Sequence, residues 1–274
     1  MANIRLKLIA VTEVVVAVVV ASLIFRRLDI SPLSQWELEL LGGQKFYFIE
    51  YAAVLVLTLC LIALSRRGFG AFGIRFKNSK YLFTIVAVAL IPFLILGATL
   101  SFVNWRQWTG ALVVSLVTLG NLVIIAMLLK KTTMPGEALA MGIFVVLAPN
   151  ALFWLDNLLG PTIVRTLYIY LLVGPTEEIL FRGYVQSRLN MAWGRPYSFF
   201  GVRWGLGIVF ASMLFGLWHV LIMPATPGVW LQVFWTTFAG LTLGYIRDKS
   251  ESIIPSSILH SVMNYVPFTE LLGS

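Results

Sequence analysis

The chain has 274 residues, of which 59% are hydrophobic and 12% charged, and its mean hydropathy is +0.90. A water-soluble domain carries about 25% charged residues, so this chain cannot coat itself against water, and a soluble globular fold is excluded. The formal charge of +8 comes from basic residues scattered between apolar stretches, which fits cytoplasmic loops of a membrane protein and not the continuous basic face of a nucleic-acid binder.

A helix needs about 20 apolar residues to cross the hydrocarbon core. In chain order the pattern predicts spans at 6–25, 46–65, 82–104, 109–129, 138–158, 162–190, 204–223, 229–246 and 253–272. The expected fold is an all-α polytopic transmembrane bundle of about 8–9 spans with a buried polar cavity. The first span follows Arg5 and Lys7 and precedes Arg26 and Arg27. It is too long for a signal core and has no small-residue cleavage site, so it is read as a span. Ile30 to Leu41 is amphipathic, with Trp36 among acids, and is expected along the interface. Cys60, the one cysteine, allows no intrachain disulfide and no cysteine metal cluster, and is read as a small packing residue. The sixth span is long enough to tilt or project, and the ninth is the least uniformly apolar. No repeat or low-complexity linker divides the chain. The expectation is one integral membrane domain, 1–274, with motif-free helices over 1–160 and a core over 161–274.

Orientation follows from the loops. Residues 66–81 carry Arg66, Arg67, Arg75, Lys77 and Lys80 with no acid, Lys130 and Lys131 follow the fourth span, and Arg188, Arg195 and Arg203 follow the sixth. Arg106 stands alone in one alternate loop, Met223 to Gly228 has no base, and Arg26, Arg27 and Lys45 are accompanied by Asp29, Glu37 and Glu39. The positive-inside rule then places the N-terminus in the cytoplasm and the C-terminus outside.

Ionisable groups in a bilayer cost several kcal/mol and mark candidate sites. Glu13 and Glu50 lie near span ends and are expected to reach an interface or a neighbouring helix; Asp156 is near a helix end and is read as solvated. Glu177 and Glu178 lie within the sixth span between apolar flanks, with Arg182 four residues past Glu178, where a guanidinium and a carboxylate meet on one helical face. Glu177, rotated about 100° away, stays free for other work. The bland alternative is a structural charge cluster at a cytoplasmic helix end. The two histidines, His219 and His260, both fall in spans, and His260 shares a face with Asn264. These groups suit amide hydrolysis: a carboxylate and a histidine activate water, while a histidine and an amide stabilise an oxyanion. There is no Gly-x-Ser-x-Gly elbow and no His-Glu-x-x-His signature. A zinc held by Glu177, His219 and His260 stays open, since a carboxylate and two imidazoles suffice for a catalytic site.

Three segments resemble the CAAX-processing and bacteriocin-processing family of intramembrane proteases, the relatives of type II prenyl-protein endopeptidases. They are Gly174-Pro-Thr-Glu177-Glu178-Ile-Leu-Phe-Arg182-Gly183, Phe215 to His219, and His260 to Asn264. The glycine-rich Ala239 to Arg247 stretch, with a polar loop and Ile253-Ile-Pro after it, fits the same pattern. The resemblance covers residues 165–270. It implies a conical cavity open to the cytosol and a water activated by Glu177 and His219. It further implies an oxyanion site of His260 and Asn264, with Glu178 as a supporting acid oriented by Arg182. It follows a glutamate-type mechanism without a metal cofactor.

The expected activity is endoproteolysis of a membrane-associated peptide or protein near the cytoplasmic surface, with prenylated tails one substrate class. The partners expected are the lipid bilayer and that substrate, with no nucleic acid. The alternatives are a non-catalytic scaffold of the same fold and a proton-coupled transporter using Glu177, His219 and His260 as a relay; no paired halves with broken helices support the second. Helical rise poses one conflict. His219 is about 24 Å from Arg203, whereas His260 is about 13 Å from Glu251. The two meet only if Tyr197 to Gly207 lies partly outside the hydrocarbon or if the seventh helix tilts, and the former is expected. Gly240 and Gly244 permit close helix approach, within the fold or in a dimer.

Overall fold

A computed structural model describes residues 2–41, 46–76, 78–131, 164, 166–223 and 226–268. The protein is an all-α membrane helix bundle, with one short hairpin among the described residues. Helix α1 is Ala2–Asp29, α2 is Pro32–Leu40, α3 is Phe48–Leu64, α4 is Ser79–Phe102 and α5 is Trp108–Lys131. Helix α6 joins four successive helical segments, Tyr168–Val173, Gly174–Glu178, Ile179–Val185 and Gln186–Trp193, of which the first and third are π-helical. Strands β1, Tyr197–Phe199, and β2, Val202–Trp204, pair antiparallel with Tyr197 opposite Trp204. Helices α7, Leu206–Ile222, α8, Pro227–Ser250, and α9, Ile254–Phe268, follow.

Local chemistry sets several of these boundaries. Ser31 caps α2, accepting from Ser34 N, and Pro32 takes the first helical position, where its missing N–H is no loss. Glu37 of α2 accepts from Phe48 N at 3.0 Å and Ile49 N at 3.1 Å, so its carboxylate satisfies the first turn of α3. Thr226 and Pro227 begin α8 in the same way as Ser31 and Pro32. The α5 amide of Asn121 donates to the Pro92 carbonyl at 2.7 Å and ties α5 to the middle of α4.

Among the described residues, Ile4–Asp29, Ser79–Phe102, Trp108–Lys130 and Pro227–Ser250 are long and apolar enough to cross a bilayer. Helices α3 and α7 are equally apolar but have 17 residues each, about 26 Å of rise. The expected span at 138–158, and Asp156 with it, lie outside the described residues. The expected seventh span is shorter than 204–223, because the chain from Tyr197 to Trp204 turns in the hairpin and α7 starts at Leu206. Arg203 therefore sits on a strand and does not mark the start of a helix. Cys60 is exposed on α3 and is not the packing residue expected. Glu13 reaches a neighbouring helix, where it pairs with Arg188 of α6. Glu50 is fully buried in the first turn of α3.

Two apolar clusters hold the bundle. One joins α1, α3, α6 and the far half of α7 through Phe25, Tyr51, Tyr168, Phe181, Phe215 and Trp218. The other joins α4, α5, α8 and α9 through Leu90, Phe93, Ile125, Leu243 and Leu259. Gly240 lets α8 lie against α7: a Cβ there would stand 2.9 Å from Ser212 Cβ and 3.0 Å from its Cα. The small-residue positions of α8 are thus used within the chain.

Candidate active site

The site is built where α6, α7 and α9 converge, with α3 behind. The Gly174–Glu178 turn lies between the two π-helical segments of α6. Such departures from the α-helix recur at functional sites because they re-aim side chains. Gly174 brings this turn against α9; a Cβ would meet Ser261 Oγ at 2.2 Å and Ser257 O at 3.0 Å. Close backbone approach places the two glutamates opposite His260.

Glu178 is the anchored carboxylate. Arg182 Nη1 lies 2.9 Å from its Oε1, both side chains are fully buried, and His260 Nδ1 is 3.0 Å from the same oxygen. Arg182 also donates through Nη2 to Gly240 O at 3.3 Å, and its guanidinium lies 4.3 Å from the Phe215 ring centroid. A buried cation with a carboxylate, a carbonyl and an aromatic face has the partners such a charge requires.

Glu177 is 4% exposed and is held differently. Its Oε1 accepts a hydrogen bond from Tyr51 Oη at 2.9 Å, while Oε2 faces His260 Nε2 at 3.6 Å. His219 is half-buried, and its Nδ1 is 3.0 Å from Phe215 O. Phe215 meets His219 edge to face at 5.2 Å and His260 at 5.5 Å, so one ring spaces the two imidazoles. Asn264 lies one turn beyond His260 on α9 and is half-buried. His219 and His260 do meet, both packing on the Phe215 ring, and α7 begins only at Leu206, after the Tyr197–Trp204 hairpin.

Sequence reasoning missed Tyr51. It lies in an apolar helix, far from any motif, and its one signal is a phenol in a membrane span, where the hydroxyl must find a partner. Its ring packs edge to face on Phe25 at 5.3 Å and Tyr168 at 5.8 Å. Trp218 continues this aromatic wall, touching Phe25 and Phe181. The wall excludes water from the back of the cluster and strengthens each polar contact inside.

Residues 159–266 match the family described as Type II CAAX prenyl endopeptidase Rce1-like. This segment, less than half of the chain, is similar to that family. No curated protein and no solved structure matches it. The matched segment contains Glu177, Glu178, Arg182, His219, His260 and Asn264, whereas Tyr51 comes from outside it. Among the described residues, no three His, Cys, Asp or Glu side chains are set to hold a metal ion.

Proposed function

We propose that the protein is an intramembrane endopeptidase that hydrolyses a peptide bond of a membrane-associated protein or peptide with a water activated by Glu177. The observation that carries this reading is the division of labour within the acid pair. Glu178 is tied to Arg182 and His260, whereas Glu177 has one oxygen fixed by Tyr51 and the other turned toward His260 Nε2.

In this mechanism Glu177 Oε2 takes a proton from water as its oxygen bonds to the scissile carbonyl carbon. His219, with Nδ1 committed to Phe215 O, presents Nε2 to the same water. The carbonyl π electrons move to oxygen, and that oxyanion accepts hydrogen bonds from Asn264 Nδ2 and from His260. His260, oriented by the contact of its Nδ1 with Glu178, turns Nε2 to the oxyanion. Collapse of the tetrahedral intermediate breaks the C–N bond, and the proton held by Glu177 passes to the leaving amine. A buried, water-poor site favours this chemistry because the hydrogen bonds and charges are fixed before reaction. The match to prenyl endopeptidases makes a prenylated tail one substrate class, and the residues described supply no prenyl-specific contact.

Membrane-peptide mass spectrometry tests the reading. Fragments produced by the wild type are expected to disappear with Glu177→Gln and His219→Ala, both of which remain monodisperse in detergent. An unchanged fragment pattern in either variant removes this mechanism and leaves the scaffold alternative.

A further inference from the structure

The arginine-rich end of the bundle holds a second polar recess, outside the acid–histidine cluster. It is a cavity of about 210 Å³ between the end of α6, the end of α8 and the loop before α4. Arg75, Arg195 and Arg247 line it together with Ser187, Asn190 and Glu251. None of these six takes part in the hydrolysis described above.

Arg247 is the buried member, 7% exposed and near the end of α8. Its Nη1 meets Asp248 Oδ1 at 2.9 Å and its Nη2 donates to Ser187 Oγ at 2.7 Å, while Nε has no partner among the described residues. Asn190, on the α6 wall, likewise keeps both polar atoms of its amide buried without a described partner. A buried polar group left unpaired costs about 1–3 kcal/mol, so each favours an added partner.

The rim is set in place by the backbone. Ile253 N donates to Gly73 O at 2.9 Å and Ser252 Oγ to Arg75 O at 2.8 Å, which ties the loop before α4 to the α8–α9 turn. Arg75 Nε donates to Gly70 O at 3.1 Å, and its Nη1 is 3.4 Å from Glu251 Oε2. Arg203 Nε donates to Arg195 O at 3.3 Å. The Arg195 guanidinium has one ionic contact, Asp248 at 3.6 Å, and donates no hydrogen bond among the described residues. The Arg75 and Arg195 side chains are 41% and 37% exposed, so a ligand can reach both.

Charge and shape select the ligand. Arg67 joins the same wall through Met191, whose Sδ is 3.2 Å from its Nη1. These contacts set five guanidiniums against two carboxylates, Asp248 and Glu251, and Asp248 is shared by Arg195 and Arg247. An anion offsets the repulsion among the cations, and guanidinium forks match carboxylate and phosphate oxygens. Donors converge here from α6, α8 and the loop before α4. A tetrahedral anion meets donors from three sides, whereas a planar carboxylate does not.

We infer that this recess binds a phosphate group, with Arg247 and Asn190 as its buried donors and Arg75 and Arg195 at its rim. The group can belong to a lipid headgroup or to a soluble phosphate compound. The positive-inside expectation puts this end at the cytoplasmic leaflet, where basic pockets between helices hold anionic headgroups. The inference is independent of the hydrolase reading, and its test needs no cleavage.

Isothermal titration calorimetry tests it on the full-length protein, stripped of lipid in a non-ionic detergent. The two probes are inorganic phosphate and dihexanoylphosphatidic acid. Saturable one-to-one binding of at least one probe is expected. Arg75→Gln and Arg195→Gln should each weaken it at least about tenfold, as the loss of one charge-assisted hydrogen bond does. Arg106→Gln removes the same charge at the other end of the bundle, beside Gly228, and should leave binding unchanged. Arg247→Gln should weaken it too; because that change strips buried Asp248 of a partner, the two rim variants decide if it fails to fold. Tighter binding of the lipid assigns a headgroup, and equal or tighter binding of inorganic phosphate assigns a soluble compound; both uphold the site. Binding of neither probe, undiminished affinity in either rim variant, or equal weakening by Arg106→Gln overturns it.

Discussion

The Tyr51 hydroxyl donates to Glu177 Oε1 at 2.9 Å across 126 positions of sequence, from a helix outside the matched segment. The bond fixes one carboxylate oxygen and turns the other toward His260. Tyr51→Phe keeps the ring packing and removes the bond. The expectation is a fall in kcat of about 10- to 100-fold, typical of a misplaced catalytic group, with KM and thermal stability little changed. Steady-state kinetics on a cleaved peptide check it, and wild-type kcat would make Tyr51 a packing residue only.

Arg182 and Glu178 form a buried pair in a water-poor interior, where removing one partner strands the other charge. Arg182→Met is expected to cost about 3–5 kcal/mol, because the desolvated carboxylate loses its cation. Glu13 and Arg188 make the comparison, being 40% and 16% exposed. Glu13→Gln there should cost about 1 kcal/mol or less. Denaturant titration in detergent micelles compares the two, and equal losses would contradict the burial argument.

Gly174 has no room for a methyl group against Ser261. Gly174→Ala is expected to push the glutamate turn from α9, destabilising by about 1–3 kcal/mol and lowering cleavage. Adding Ser261→Gly opens the space and should restore part of both. Rescue measured by melting temperature and turnover distinguishes this clash from a helix-propensity effect, for which alanine would be favourable.

Asn264 offers an amide one turn from His260. If it donates to the oxyanion, Asn264→Ala lowers kcat by about 10²- to 10³-fold with KM nearly constant. A change confined to KM would assign Asn264 to substrate binding.

The sequence by itself determined the solvent, the helical class and the residues of the acid pair. These depend on local quantities: apolar length, the 3.6-residue period that puts Glu178 beside Arg182, and one helical turn from His260 to Asn264. Tertiary structure decided the rest. That Glu177 is served by Tyr51, that Phe215 spaces the two imidazoles, and that the Tyr197–Trp204 stretch is a hairpin depend on contacts between distant segments. The same holds for depth. A count of helical rise from Arg203 includes residues that are not helical, because Arg203 is on β2 and α7 starts at Leu206; helix starts are set by packing and turn geometry, whereas rise per residue is fixed only inside a helix.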